Sequence, residues 1–143
     1  MGMYTELKLN VVLKADTPIE VLNILAFMLR KGPQPKTLPM HKLFQTRRWQ
    51  AMLLMRSAYF DTPTHSTLVK NSQGTFSLDI QCNLKNYDKE ITKFLDWIHP
   101  YIFATDRERI GHWRYEGRDA IMRALFYSLE SIMEVDNPRN NLI

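Results

Sequence analysis

Thr5-Glu-Leu-Lys-Leu-Asn-Val-Val-Leu-Lys14 alternates with period two: Leu7, Leu9, Val11 and Leu13 point one way, and Glu6, Lys8, Asn10 and Lys14 the other. Such alternation builds a strand with one buried and one wet face. Helix grammar follows directly. Thr17 suits an N-cap, Pro18 the first helical position, and Glu20 the far side of a capping box. Val21, Ile24, Leu25 and Met28 then make an apolar stripe at helical spacing, and Gly32-Pro33 is expected to stop it.

The same order returns further along. Phe76, Leu78, Ile80, Cys82 and Leu84 alternate with Thr75, Ser77, Asp79, Gln81 and Asn83. Asn86 is then expected to cap a helix with the stripe Ile91, Phe94, Leu95 and Ile98, ended by Pro100. The two stripes map onto each other with one constant offset, so the chain reads as two β–α units in tandem, alike in pattern rather than in identity. Ser57 to Phe60 and Thr67 to Lys70 are further strand candidates around a turn-rich stretch. Asn71-Ser-Gln-Gly74 reads as a hairpin turn, and Ile110 to Glu116 as a last strand. The order β-α-β-β-α-β is the split βαβ, or ferredoxin-like, α+β plan, with an inserted segment after the first helix and a C-terminal extension. In the insertion, His41 to Met55 best suits a short helix. Residues 119–135 fit two structures: Ile121, Leu125, Leu129 and Ile132 have helical spacing, while Arg123 to Ser128 with Ile132 to Val135 would make a hairpin. Residues 1–135 are expected to form one domain and the polar residues 136–143 a flexible tail.

Thr5-Glu-Leu-Lys-Leu, Arg48-Trp-Gln-Ala-Met-Leu, Ser57-Ala-Tyr-Phe-Asp, Asn83-Leu-Lys-Asn-Tyr-Asp-Lys-Glu-Ile, Phe94-Leu-Asp-Trp-Ile and Arg114-Tyr-Glu together resemble a set of small uncharacterised bacterial and mobile-element proteins. The resemblance covers most of the chain and implies no activity and no catalytic residues. It implies an extended C-terminal segment, and so a hairpin there. Arg118-Asp-Ala-Ile-Met-Arg123 departs from that pattern towards helix and leaves the choice open.

Composition narrows the functional classes. The 143 residues, 45% hydrophobic and 24% charged, suffice for a real core without disulfide or metal staples. Cys82 is the only cysteine, which excludes an intramolecular disulfide and multi-cysteine metal sites and points to a reducing compartment, the cytoplasm. No stretch reads as a signal peptide or is long and apolar enough to span a membrane, so no membrane partner is expected. Charge is lopsided: residues 1–72 carry +6 and residues 73–143 carry −2. No acid occurs between Glu20 and Asp61, although seven basic residues do. The acidic surface of a DNA mimic is thereby excluded.

Catalytic constellations are sparse. His65-Ser66-Thr67 matches the His-x-Thr element that 2H phosphodiesterases use twice, but His41, His99 and His112 have different followers, so no second copy exists. The histidines and Asp61 lack metal-ligand spacing, the five glycines form no phosphate loop, and Cys82 points inward as a small hydrophobe. No cofactor or metal is expected, and nothing argues for an enzyme. The leading expectation is a small non-enzymatic binding or regulatory module that acts through protein contacts, with a protein partner or self-association. The alternative is a nucleic-acid-associated protein that uses the basic, acid-free segment 21–60 through Lys42, Arg47, Arg48, Trp49 and Arg56. Arg107, Arg109, Trp113, Arg114 and Tyr115 would form a second such patch. The bland alternative is that arginine stems cover apolar surface and the rings belong to the core. Base stacking on the sheet itself is disfavoured, because Glu6, Lys8, Asn10, Val12, Ser77, Asp79, Gln81 and Asn83 offer no ring.

Overall fold

A computed structural model of the chain describes residues 4–57, 63–115 and 122–137. The alternating stretch forms β1 (Thr5–Leu13) and the second one β3 (Phe76–Leu84). They pair antiparallel, with Leu7 opposite Cys82 and Leu9 opposite Ile80. Between them come helix α1 (Ile19–Met28) and strand β2 (Thr67–Lys70); after them come α2 (Glu90–Ile98), β4 (Arg109–Tyr115), β5 (Met122–Tyr127) and β6 (Ile132–Asn137). The result is an α+β fold with a six-stranded antiparallel sheet in the order β2-β3-β1-β4-β5-β6. Leu7, Leu9, Val11 and Leu13 share one buried cluster with both helix stripes, so α1 and α2 cover the same face of the sheet.

The strand count corrects the expectation of four. The ambiguous C-terminal stretch is the β5–β6 hairpin, which prolongs the sheet beyond β4. Helical spacing loses there because it would leave the outer amides of β4 unpaired, whereas β5 satisfies them and buries Leu125 and Tyr127. Leu129, an apolar position of the alternative helix, lies at the turn and is exposed. The hairpin is tied to α2: Glu134 accepts hydrogen bonds from Trp113 Nε1 (2.9 Å) and Thr92 Oγ1 (3.2 Å), and Arg123 lies over the Trp113 ring. β6 runs to Asn137, so the first two residues of the expected tail belong to the sheet; the remainder lies outside the described residues.

Local signals at the helix ends also need correction. Thr17 Oγ1 donates to the Lys14 carbonyl (2.6 Å) rather than capping α1, and no side chain caps that helix. α1 ends before Gly32-Pro33: Arg30 takes the left-handed conformation (φ 58°) while Arg30 N–H and Lys31 N–H donate to Phe27 and Ala26, a Schellman closure. Asn86 Oδ1 accepts from Ile91 N–H, but α2 starts at Glu90, after Lys89 in left-handed geometry. The inserted segment makes two short 3-10 turns, Lys42–Gln45 and Met52–Leu54, in place of a helix. Of the candidate strand 57–60, Ser57 is in no strand and the rest lies outside the described residues. Asn71–Gly74 is the expected turn, with Gly74 at φ 89°.

Candidate functional site

The basic segment comes apart on inspection of burial. Lys42, Arg47 and Arg56 are exposed and make no ion pair among the described residues. Arg48 is half-buried, with its guanidinium over the Tyr87 ring (5.1 Å) and Nε 3.9 Å from the buried Glu90 carboxylate. Trp49 is a core residue, 4% exposed, and its ring contacts Phe27 and Phe44. Its faces are therefore already covered by protein. In the second patch Trp113 is likewise buried and Arg114 is bound to Glu6, while Arg107, Arg109 and Tyr115 are exposed.

Glu6 overturns the expectation of a uniformly wet outer face. Although it alternates outward, it is 3% exposed. Its Oε1 accepts from Arg114 Nε (2.7 Å) and lies 3.3 Å from His112 Nε2, and its Oε2 is 3.4 Å from Gln81 Nε2. Asn83, next to it across the strands, is fully buried. Three strands are thus pinned by one carboxylate in the middle of the sheet's outer face. Beneath it, on the helix side, burial and then the Glu6 charge push the Cys82 thiol pKa well up, so the thiol stays protonated at neutral pH.

A sizeable concavity was not visible in the sequence. A groove of about 860 Å³ runs between the first turns of α1, the irregular residues 35–41, and the end of α2 with the turn that follows. Val21, Ile24, Trp97 and Tyr101 form its floor. Leu38 and Met40 form its lip, and Met40 is fully exposed. Pro33, Pro35 and Pro39 restrict the backbone of that lip. His41 anchors its end: Nδ1 accepts from Leu43 N–H (3.0 Å), so the ring proton sits on Nε2 and donates to Asp96 Oδ2 (2.9 Å). Both nitrogens are engaged, which ties the end of the lip to α2. Around the mouth stand the carboxylates of Glu20, Asp96 and Glu130 against the single amine of Lys36. An acidic hollow thus opens on a chain whose net charge is +4.

Protein-family models, curated proteins and solved structures give no match to this chain. The site has to be read from its own chemistry. Among the described residues no group of three or more His, Cys, Asp or Glu side chains is placed to hold a metal ion, and no helix is long and apolar enough to cross a membrane. His65 is exposed and its ring makes no hydrogen bond or ion pair among the described residues. The other three histidines are engaged elsewhere, with Asp96, with the Ser128 carbonyl (2.8 Å) and with Glu6. The paired imidazoles that a His-x-Thr phosphoesterase needs are not assembled around His65.

Proposed function

We propose that this protein is a non-enzymatic binding module that acts through protein contacts, and that its α1/α2 groove takes a peptide segment with apolar side chains flanked by lysine or arginine. One observation carries this reading: an apolar groove of about 860 Å³ with a proline-stiffened, His41-anchored lip, in the size range of ligand sites. Prolines in the lip and the tie at His41 lower the ordering cost of binding. Charge at the mouth selects the flanks, since Glu20, Asp96 and Glu130 outweigh Lys36. The test is fluorescence anisotropy with a labelled peptide of leucines flanked by lysines, against Leu/Gln and Leu/Glu versions. Preferential binding of the lysine version, lost at least tenfold in Met40→Ser with melting unchanged, is the expected result. The chain's net positive charge favours the acidic peptide everywhere else. Equal binding of all three peptides, or of none, removes the proposal.

A second reading rests on the exposed Lys42, Arg47 and Arg56, which make no ion pair among the described residues and would contact the phosphates of a nucleic acid. Arg48 and Trp49 take no part in it, being committed to Glu90, Tyr87 and the core. Anisotropy with duplex DNA, single-stranded DNA and RNA at two salt concentrations tests it. Salt-sensitive binding, abolished by reversing those three charges at unchanged melting temperature, is required.

The first four strands with the two helices are best understood as a split βαβ, ferredoxin-like unit. The antiparallel order β2-β3-β1-β4 and both helices on one face support this, with β5–β6 as an added hairpin.

A further inference from the structure

The two borders of the sheet are unlike each other. β2 is four residues long, carries Lys70 and is followed at once by a turn; short length and lysine are usual ways of blunting a sheet edge. β6 spans six residues, Ile-Met-Glu-Val-Asp-Asn, with neither Lys, Arg nor Pro among them. Among the described residues no strand pairs with its outer side. Its side chains on the sheet's outer face, Met133 and Val135, are 38% and 45% exposed.

Which backbone groups face outward follows from the hairpin. Ser128 N–H donates to the Ser131 carbonyl (2.9 Å), and both Tyr127 backbone groups are used by Arg107 and Glu108 on the opposite side. Tyr127 and Ile132 are therefore a non-hydrogen-bonded pair, and antiparallel pairs alternate from there. Met133 and Val135 bond to β5. The N–H and C=O groups of Ile132, Glu134 and Asp136 point away from it.

We propose that this edge is closed by the β6 strand of a second copy, antiparallel, with the twofold axis at Glu134. In that register Ile132 and Asp136 exchange backbone hydrogen bonds with the second copy's Asp136 and Ile132. Met133 then lies opposite the second copy's Val135 in a close, non-hydrogen-bonded pair, and the reverse pair forms across the axis. Sliding the register by two residues either way sets Met133 against Asn137 or Val135 against Ser131, so one apolar contact is lost. The two Glu134 carboxylates on the axis are turned inward, each held by its own Trp113, Thr92 and Arg123. The surface covered by a few residue pairs falls well short of the roughly 1,200 Å² of a stable interface, so the dimer is weak and concentration-dependent. This proposal does not involve the groove, and either can fail alone.

Sedimentation velocity over about 10 to 500 micromolar tests it, a range in which a weak dimer would dissociate and re-form. The weight-average mass should climb from 16.9 kDa towards twice that value. Val135→Lys should hold the protein monomeric throughout at an unchanged urea midpoint. A Met133→Cys/Val135→Cys double variant should give an oxidised covalent dimer several-fold more abundant than the exposed control Leu129→Cys. A wild-type mass flat at the monomer value overturns the proposal. So does association that Val135→Lys leaves intact, or cross-linking no better than the control.

Discussion

At Cys82 burial and the Glu6 carboxylate act in the same direction, and the consequence for stability has a definite sign. In the unfolded chain a thiol ionises near pH ~8.5. Below that pH both states keep the proton and the site is indifferent. Above it the unfolded chain releases a proton that the folded chain, with its raised pKa, retains, so stability falls as pH rises. Between pH 7 and pH 10 the loss amounts to about 2 kcal/mol. Urea unfolding of the wild type and Cys82→Val at both pH values isolates it, since lysines and tyrosines titrate alike in both proteins. The wild type should lose about 2 kcal/mol more; equal losses would mean that the thiol is not buried. Burial of Cys82 was legible from the period-two pattern alone. That of Glu6 was not, because alternation assigns a residue to a face without saying what else occupies it. Its partners lie 75, 106 and 108 residues away in sequence.

At the scale of the element, β4 shows how a local signal is read only in context. Gly111 stands opposite Leu9 where the β4–β5 register shifts, and a Cβ there would collide with the Lys8 carbonyl oxygen. Glycine lets β4 approach β1 closely enough to put Trp113 into the core and Arg114 and His112 onto Glu6. Gly111→Ala should therefore destabilise by more than a solvent-face substitution does, at or above the upper part of the about 1–3 kcal/mol seen for overpacking. A shift in urea midpoint corresponding to under about 0.5 kcal/mol, the range of ordinary surface changes, would refute the close approach. β1 and β3 were legible because period two survives in each, whereas β2 is only four residues bounded by turn residues and β4 is buried at Ile110 and Trp113, out of step with period two. The β5–β6 stretch carries both periods, and only the free edge of β4 decides between them. The end of α1 was misjudged for a related reason: Gly32-Pro33 is a stronger stop signal than Arg30, yet the Schellman bonds close around Arg30. In the inserted segment the aromatic residues proved to be core, with Trp49 and Trp97 each set edge-on to Phe44.

For the molecule as a whole, the α+β class and the placement of both helices followed from sequence pattern, but the groove could not. Its walls come from residues near positions 20, 40 and 100, and no one of those segments has a shape of its own. The charge asymmetry pointed to the basic segment, whereas the mouth of the concavity is acidic.

The position of β1 at the centre of the sheet has a further consequence. Both of its neighbours lie far downstream, β3 and then β4, so native pairing is dominated by long-range contacts. Refolding followed by tryptophan fluorescence should accordingly take milliseconds to seconds, and a microsecond phase carrying the whole signal would contradict this. The same order matters while the chain is being made. At synthesis rates of ~5–20 residues per second, the row Leu7, Leu9, Val11, Leu13 waits roughly 5–20 seconds before β4 exists to flank it. Until β3 and then β4 have been made, β1 is an apolar ribbon lacking its native neighbours, and its safe passage depends on what shields a nascent chain.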